Sequence, residues 1–250
     1  MANPRCIVEK LPAVGDIAWL SKDEAKHAMG SRRLEAGDAL ELVDGRGGVA
    51  LSNILPTRNA AGETGAQVSS CHVQPRQMPD IHVAAAIPKG DRLATMLDML
   101  GQLAVASFTP LDCERSVIPA DRFDGARAHR IFVEALKQSR GAWTTQVASA
   151  RTPKSCAESC RAQNIPALIA HPDGQPLAQI KFDQPSCMIL IGPEGGFTEA
   201  EVADAQSAHA IRVSLGATTL RIETAAAMTA GFARIQAQIQ AQIQAQIQAV

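Results

Sequence analysis

Two glycine-containing loops in the second half of the chain carry the residues most suited to binding chemistry. In the first, an apolar run ends at Ile191 and leads through Gly192-Pro193-Glu194-Gly195-Gly196 to Thr198 and Glu201, which are spaced as a helix capping box. Glycines let a ligand approach backbone N–H and C=O groups, and a strand–loop–helix start is a common binding crevice. The spacing matches neither GxGxxG nor GxxxxGK[ST], which argues against a dinucleotide or nucleoside triphosphate site. An ordinary strand-to-helix turn is the plainer interpretation.

The second loop repeats this pattern about twenty residues later. A strand ends at Leu215-Gly216, a short loop follows, and a helix starts near Glu223. Arg221 and Glu223 stand at the loop edge, where we expect no core to require either charge. Arg221 could stabilise an anion or contact a phosphate, and Glu223 could orient Arg221 or accept a proton. Glu223 is also the acid that the first turn of a helix favours. If the two preceding strands are neighbours, the two loops lie side by side.

The elements that must position these loops alternate between strand and helix. Short apolar runs predict strands at residues 81–87, 107–111, 165–170, 186–191 and 210–215. Helical spacing of apolar residues predicts helices at residues 91–105, 122–139, 200–208 and from 223 onward. This alternation predicts an α/β fold in which helices cover a mostly parallel sheet.

The region before residue 75 has a different rhythm. Strands are predicted at residues 17–20, 39–43, 48–51 and 66–73, with a hairpin turn at residues 44–48. Ser21 and Glu24 have the spacing of a capping box for a short helix reaching about Arg32. We therefore predict a β-rich domain (1–74), a linker (75–80), an α/β domain (81–234) and a low-complexity tail (235–250). In the tail, Ile recurs at every fourth position, which fits a helix, and Ile or Ala alternates with Gln, which fits a strand. We favour a helical extension, because Ala and Gln are good helix formers.

Composition narrows the classes of function. The 250 residues include 24 Lys and Arg against 25 Asp and Glu, so the chain is not a strongly basic nucleic-acid coat. The absence of Tyr and the presence of only six Phe and two Trp argue against an aromatic base-stacking platform. There is no apolar run long enough for a membrane helix and no secretory signal, so we expect a cytoplasmic protein without membrane attachment. The six cysteines are irregularly spaced, and the Cys156–Cys160 pair is not a CxxC motif; we expect reduced, packed thiols and no metal site.

Positive charge is concentrated in one segment. Residues 125–155 contain one acidic side chain, Glu134, and six basic ones: Arg127, Arg130, Lys137, Arg140, Arg151 and Lys154. Residues 161–250 contain five basic and seven acidic side chains. This segregation suits an RNA-facing surface, although a solvated helix face would look the same.

The two loops together resemble the AdoMet-binding loops of the SPOUT methyltransferases, and most closely the RsmE-type 16S rRNA (uracil-N3)-methyltransferases. That family pairs an "IGPEGG…E" loop with an "LG…LRxETA" loop, which this chain matches at Ile191–Glu201 and Leu215–Ala225. Weaker matches extend over nearly the whole chain: Leu168 to the His171-Pro172 pair, Pro88 to Arg92, Glu114-Arg115-Ser116, Gln138-Ser139, His27, Arg33 and Asp44-Gly45. The chain departs from the family pattern at Met99, Gln102, Ala104 and Ala217.

The resemblance implies a fold and a reaction. The fold would be a trefoil-knotted, mostly parallel sheet covered by helices and preceded by a small β-barrel PUA-like domain that binds RNA. The protein would be a homodimer with its last helix at the interface. It would bind S-adenosyl-L-methionine (AdoMet), without a metal, and methylate N3 of one uridine in 16S rRNA within the small ribosomal subunit. Arg221 and Glu223 would be the catalytic residues.

The resemblance also assigns binding residues. The cofactor would contact Leu168, His171, Ile191, Gly192, Pro193, Glu194, Gly195, Gly196, Leu215, Gly216, Leu220 and Arg221. The RNA would contact His27, Arg32, Arg33, Lys89, Arg92, Arg115, Gln138 and Arg140. Glu194 could instead serve only to hold its own loop.

Three other hypotheses remain open at this point. One is a SPOUT enzyme acting on tRNA, for example at a ribose 2′-oxygen. Another is an RNA-binding protein that has lost catalysis. The third is an unrelated α/β enzyme whose GPEGG loop binds a phosphate.

Overall fold

The structure is a computed structural model that describes residues 3–31 and 33–248. The chain divides into two compact units: the N-terminal part up to Arg76 together with Val133–Thr144, and Gln77–Phe132 together with the part from Thr145 onward. The sequence had placed residues 133–144 in the α/β domain. They cluster with the first unit because Leu136 and Ala142 share a buried cluster with Val43 and Val49.

The first unit contains a five-stranded sheet with the order β1-β3-β4-β5-β2. Its strands are β1 (Arg5–Ile7), β2 (Ile17–Leu20), β3 (Ala39–Val43), β4 (Gly48–Arg58) and β5 (Thr64–Val73). The β1–β3 pair is parallel and the other pairs are antiparallel. The predicted hairpin is present between β3 and β4, and Asp44 closes its turn by accepting hydrogen bonds from the N–H groups of Arg46 and Gly48.

The short helix of this unit differs from the prediction in one respect. Helix α1 (Lys22–Lys26) continues as a π-helical turn over His27–Ser31, and Ser21 caps it by accepting a hydrogen bond from the N–H of Glu24 at 3.3 Å. The reciprocal half of the capping box was wrongly predicted. The Glu24 carboxylate instead accepts from the Ile7 N–H at 3.0 Å and pairs with Lys137 Nζ at 2.8 Å.

The second unit contains a six-stranded sheet with the order β11-β9-β10-β6-β7-β8, and all of its ladders are parallel. Its strands are β6 (Asp80–Ala85), β7 (Ser107–Pro110), β8 (Gln146–Val147), β9 (Ala167–Pro176), β10 (Ser186–Ile191) and β11 (Ile211–Ser214). The remaining helices are α2 (Arg92–Gln102), α3 (Gly125–Ser139), α4 (Pro153–Ala162), α5 (Glu199–Ser207) and α6 (Ile222–Gln248). Helix α3 begins in the second unit, and its part from Val133 onward belongs to the first.

Alternating side chains on these strands fill two separate cores. Val83 and Ile189 point into a cluster that includes residues of α2 and α6. Their neighbours Ala84 and Leu190 belong to a second cluster with residues of α4 and α5. Successive strand residues face opposite sides of a sheet, so a parallel sheet covered on both faces needs apolar residues at every position. This explains the continuous apolar runs in the sequence.

The predicted fold class is confirmed as a mostly parallel α/β sheet with a separate β-rich unit. The strands β1 and β8 and the helix α4 were missed. Helix α4 escaped notice because its buried face consists of Pro153, Cys156, Ala157 and Cys160, which give a weak apolar signal. The trefoil knot stays a prediction.

The final helix extends through the low-complexity segment, as favoured from the sequence. Ile235, Ile239 and Ile243 lie on it and are 58%, 46% and 51% exposed. Within the described residues, no helix combines the length and apolar character that crossing a bilayer would require.

Candidate active site

A cavity of about 410 Å³ lies at the carboxyl ends of β10 and β11 and beside the middle of β9. This volume falls in the usual range for small-molecule sites, about 300–1,000 Å³. Three segments supply most of its lining: residues 170–172 from β9, residues 191–197 after β10 and residues 215–220 after β11. Arg115, Glu199 and Ala225 complete it.

The two glycine loops meet here, although their strands are not neighbours. Strand β9 lies between β10 and β11, so the condition stated from the sequence is not fulfilled. A register shift in β9 brings the loops together with a third segment. Ile169 pairs with Arg212, whereas the next pair joins Gln175 to Val213, so residues 170–174 leave the ladder. Part of this excursion, Ala170-His171-Pro172, lines the cavity.

A glycine is required where this excursion returns to the ladder. A Cβ atom on Gly174 would stand 2.3–2.5 Å from backbone atoms of Val213. Such contacts with backbone cannot be relieved by rotating a side chain. Gly174 therefore permits the backbone approach that ends the His171 segment.

The GPEGG loop is a tight turn followed by a capped helix. The N–H of Gly196 donates to the carbonyl of Pro193 at 2.8 Å, and Gly196 has a φ of +70°, a conformation that favours glycine. The predicted capping box is present: Thr198 Oγ1 accepts from the N–H of Glu201 at 3.2 Å, and Glu201 Oε2 accepts from the N–H of Thr198 at 2.8 Å. Helix α5 therefore starts at a fixed position beside the cavity.

The second loop also contains a residue with left-handed backbone. Gly216 has a φ of +126°, and the Leu215 and Leu220 side chains flank the segment that lines the cavity. Residues 217–219 contribute to the lining as well. Helix α6 begins directly afterwards at Ile222.

His171 lies between two acidic side chains at the cavity. Its Nδ1 accepts a hydrogen bond from the N–H of Asp173 at 3.2 Å, which places the proton of a neutral ring on Nε2. Nε2 is 3.8 Å from Glu199 Oε1. Glu199 was not among the predicted site residues. Its position in the first turn after Thr198 is the only sequence signal that could have identified it.

Two arginines contact the GPEGG loop. Arg92 Nη2 is 3.1 Å from Glu194 Oε1, in an ion pair whose side chains are each about one-third exposed (32% and 33%). Arg115 Nη1 donates to the carbonyl oxygens of Gly195 at 3.0 Å and Phe197 at 3.4 Å. Glu194 is therefore paired with Arg92, and its role as a loop-holding or a ligand-contacting residue stays a prediction.

The predicted cofactor residues line this cavity except for Leu168 and Arg221. Leu168 is 1% exposed and belongs to the buried cluster beside α2 and α6. Sequence reasoning had assigned Arg115 to RNA and missed eight further lining residues: Ala170, Pro172, Phe197, Glu199, Ala217, Thr218, Thr219 and Ala225. The cavity suits AdoMet in size. Its glycines expose backbone groups for polar contacts, and Glu199 provides negative charge beside the cavity, whereas the charge of Glu194 is paired with that of Arg92.

The two predicted catalytic residues occupy different environments. Arg221 is exposed at the start of α6. Glu223 is only 8% exposed, and its Oε2 has no hydrogen-bond partner among the described residues. The expectation that no core requires Glu223 was therefore wrong. A buried carboxylate oxygen without a partner is unfavourable for stability.

The predicted RNA residues do not form one set of unengaged cations. In the first unit, Arg140 Nη2 pairs with Glu41 Oε1 at 2.6 Å. Lys137, a member of the basic segment but not a predicted RNA contact, is buried between Glu24 and Glu134. Arg33 and Gln138 are exposed and His27 is half-buried, whereas Arg32 lies outside the described residues. In the second unit, Lys89 is exposed while Arg92 and Arg115 contact the GPEGG loop. The described part of the chain contains no group of three or more His, Cys, Asp or Glu side chains that could hold a metal ion.

Comparison with known proteins identifies the family. A protein from Mycobacterium bovis named ribosomal RNA small subunit methyltransferase E is 29% identical over 236 residues, covering 90% of this chain and 88% of that protein. A crystal structure of a probable rRNA-methyltransferase from Porphyromonas gingivalis is 27% identical with a TM-score of 0.80, covering 94% of this chain and 98% of that one. A Neisseria gonorrhoeae ribosomal RNA small subunit methyltransferase E, crystallised bound to S-adenosyl methionine, has the same fold with a TM-score of 0.82 at 23% identity, covering 92% and 96%.

Family models agree with these similarities. A model described as an RNA methyltransferase PUA domain matches residues 20–59. A model described as an RNA methyltransferase domain matches residues 75–234 and so includes all three segments of the cavity. The resemblance inferred from the two glycine loops is confirmed. Because the second model spans more than half of the sequence, this chain belongs to the RNA methyltransferase domain family.

Proposed function

We propose that this protein uses AdoMet to methylate N3 of a single uridine in the 16S rRNA of the small ribosomal subunit. The observation that carries the proposal is the convergence of the two glycine loops and the His171 segment on one cavity of cofactor size. The Mycobacterium relative is named a small-subunit rRNA methyltransferase and aligns over 90% of this chain. The Neisseria protein with the same fold was crystallised with S-adenosyl methionine. This function places the protein in the cytoplasm, where small subunits are found.

The chain's own residues would first hold and orient the cofactor. Backbone groups of the GPEGG loop and of residues 215–220 would bind its polar edges, and Ile191, Leu215 and Leu220 would cover its apolar surface. When bound, AdoMet supplies an electrophilic methyl group, so no metal is needed. Residues 1–74 would serve as a PUA-like RNA-binding domain.

Uracil N3 carries a proton at neutral pH, and the site must help remove it. Arg221 lies exposed at the start of α6 and would stabilise the negative charge that spreads to O2 and O4 as the proton leaves. Glu223 lies two residues away, and its Oε2 has no hydrogen-bond partner in the described part of the chain; Glu223 would orient Arg221 or accept the proton when substrate binds. The base must leave its stack to expose N3, as in other enzymes that act on nucleobases.

Methyl transfer to ribosomal subunits tests this proposal. Small subunits from a strain lacking the protein are incubated with labelled AdoMet, and the modified nucleotide is identified by mass spectrometry. We expect N3-methyluridine at one position of 16S rRNA. Label on tRNA instead would contradict the substrate, and absence of AdoMet binding would contradict the enzyme function as a whole.

Variants at the start of α6 test the two catalytic assignments. Arg221→Ala should lower kcat about a hundredfold, the usual effect of removing a group that stabilises developing charge. Glu223→Gln should lower kcat while leaving the thermal midpoint unchanged or higher, because it removes a buried charge with an unpartnered oxygen. The matched control is Arg161→Ala, an exposed arginine at the end of α4. Unchanged turnover in both test variants would contradict these roles.

A further inference from the structure

The loop between β7 and α3 places one arginine against the cofactor cavity. We propose that Arg115 is a positioning residue for the GPEGG loop and not an RNA contact. This inference rests on the proposed function, because it assigns the cavity to AdoMet. It differs from what the sequence match suggested, which grouped Arg115 with the RNA-binding cations.

Arg115 is bound to the loop through both its charge and its carbon chain. Its Nη1 donates to the carbonyl oxygens of Gly195 at 3.0 Å and of Phe197 at 3.4 Å. Its Cβ, Cγ and Cδ atoms would lie 3.4–3.9 Å from a Cβ built on Gly195, so the stem lies along the backbone of the loop. One side chain therefore ties together the end of the GPEGG turn and the residue before the cap of α5.

A single carboxylate links this arm to the helix cap. Glu201 Oε2 accepts from the N–H of Thr198 in the capping box, and its Oε1 accepts from the N–H of Glu114 at 2.9 Å. The backbone directly before Arg115 is thereby attached to the first turn of α5. Thr198, Glu201, Glu114 and Arg115 form a closed connection around the loop that lines the cavity.

This connection holds in place the backbone groups that would meet the cofactor. Carbonyl oxygens bonded to a guanidinium have a fixed direction, and the peptide N–H groups between them are then fixed as well. Binding to a loop that is already ordered avoids the entropy cost of ordering it. By contrast, Arg92 contacts the loop only through an exposed ion pair with Glu194, and such pairs contribute little. We therefore expect the loss of Arg115, and not that of Arg92, to weaken AdoMet binding.

The test measures AdoMet affinity and RNA affinity separately. Calorimetric titration with AdoMet, in the absence of RNA, compares the full-length protein with Arg115→Ala, Arg115→Lys and the control Arg161→Ala. We expect Arg115→Ala to raise the AdoMet Kd about tenfold, in line with the loss of hydrogen bonds from a charged donor. Arg115→Lys should recover part of the affinity, because an ammonium can reach one carbonyl but lacks the planar fork. The control should bind as the wild type does.

The salt dependence of RNA binding shows whether Arg115 contacts a phosphate. A 16S rRNA fragment is titrated at several salt concentrations, and the slope of log K against log salt is compared between wild type and Arg115→Ala. The slope should stay the same, whereas loss of one phosphate contact reduces it by about 0.7–0.9. A reduced slope together with wild-type AdoMet affinity would overturn the inference. If the wild type itself bound no AdoMet, the proposed function would fall first.

A double-variant cycle tests the link through Glu201. Gln at position 201 keeps one acceptor oxygen and loses the other, so Glu201→Gln cannot hold both the Thr198 and Glu114 N–H groups. We expect its effect on the AdoMet Kd to be less than additive with that of Arg115→Ala, since both act on one loop. Strictly additive effects would show that Glu201 and Arg115 act separately, and circular dichroism would verify that each variant is folded.

Discussion

Five of the six cysteine side chains are buried, and burial changes their acid–base behaviour. Burial raises the pKa of Cys6, Cys113 and Cys187 from the ordinary 9.0 to about 12. The pKa values of Cys156 and Cys160 rise to about 11, again chiefly through burial, with Arg151 opposing the change. Cys71 is the exposed thiol. All six are unpaired; five are packed as expected from the sequence, whereas the expectation was wrong for Cys71.

We predict that the folded protein exposes a single reactive thiol. A thiol reagent at pH 8 should modify Cys71 rapidly and the other five only after denaturation, because the thiolate is the reactive form. Their folded pKa values lie above 9.0, so these thiols contribute stability that is fully present below pH 9. It is lost as the pH rises towards 11–12. Urea unfolding at pH 8 and pH 10 measures the loss. Rapid labelling that persists in Cys71→Ser would contradict the prediction.

Helix α6 depends on one buried arginine for its attachment to the segment before β6. Arg234 Nη1 donates to the carbonyls of Gln77 at 2.6 Å and Pro79 at 2.8 Å, and Nη2 donates to that of Ala104 at 3.0 Å. Burial lowers the pKa of this guanidinium. The planar group reaches three carbonyls from two chain segments, so the helix, the start of the sheet and the end of α2 are held by one side chain.

We predict that Arg234→Met destabilises the second unit by about 2–3 kcal/mol, because three buried carbonyls lose charged donors. Arg234→Lys should recover only part of this stability, since a single ammonium cannot match the fork. Urea denaturation gives the free energy of unfolding, with Arg161→Met as the control for an exposed arginine. A loss below about 0.5 kcal/mol, the usual limit for surface substitutions, would show that the attachment contributes little.

The elements around the cavity show what local sequence determines. The caps and glycine turns were predictable because Thr198 with Glu201 and the glycines of both loops act through their own backbone neighbourhood. The position of Glu223 was not predictable, because its burial depends on how α6 packs. Helix α4 was not predicted because its buried residues are small. The contacts of the Glu24 carboxylate were not predictable either, because its partners Ile7 and Lys137 are distant from it in the sequence. Long-range partners therefore decide what local patterns leave open.

Across the whole molecule, charge and apolar surface are distributed in ways that composition conceals. The net charge of −1 says nothing of the individual ion pairs, and several cations predicted to face RNA are already paired within their own unit. Apolar side chains, in contrast, remain exposed on helix α6. The stripe of Ile235, Ile239 and Ile243 continues α6 beyond residue 234, where the family model ends. The resemblance implies a homodimer with this helix at the interface, which stays a prediction.

That prediction can be tested with two isoleucines. We expect the wild type to sediment as a dimer and the double variant Ile239→Gln with Ile243→Gln to dissociate more readily. Gln is a good helix former, so the helix should persist. Burying an isoleucine contributes about 1.5–3 kcal/mol, so losing two partly buried ones should raise the dimer Kd about a hundredfold. Ala241→Gln, on the opposite side of the helix, is the matched control. If the wild type sediments as a monomer, or if the double variant remains as tight a dimer as the control, the apolar stripe has no role in assembly.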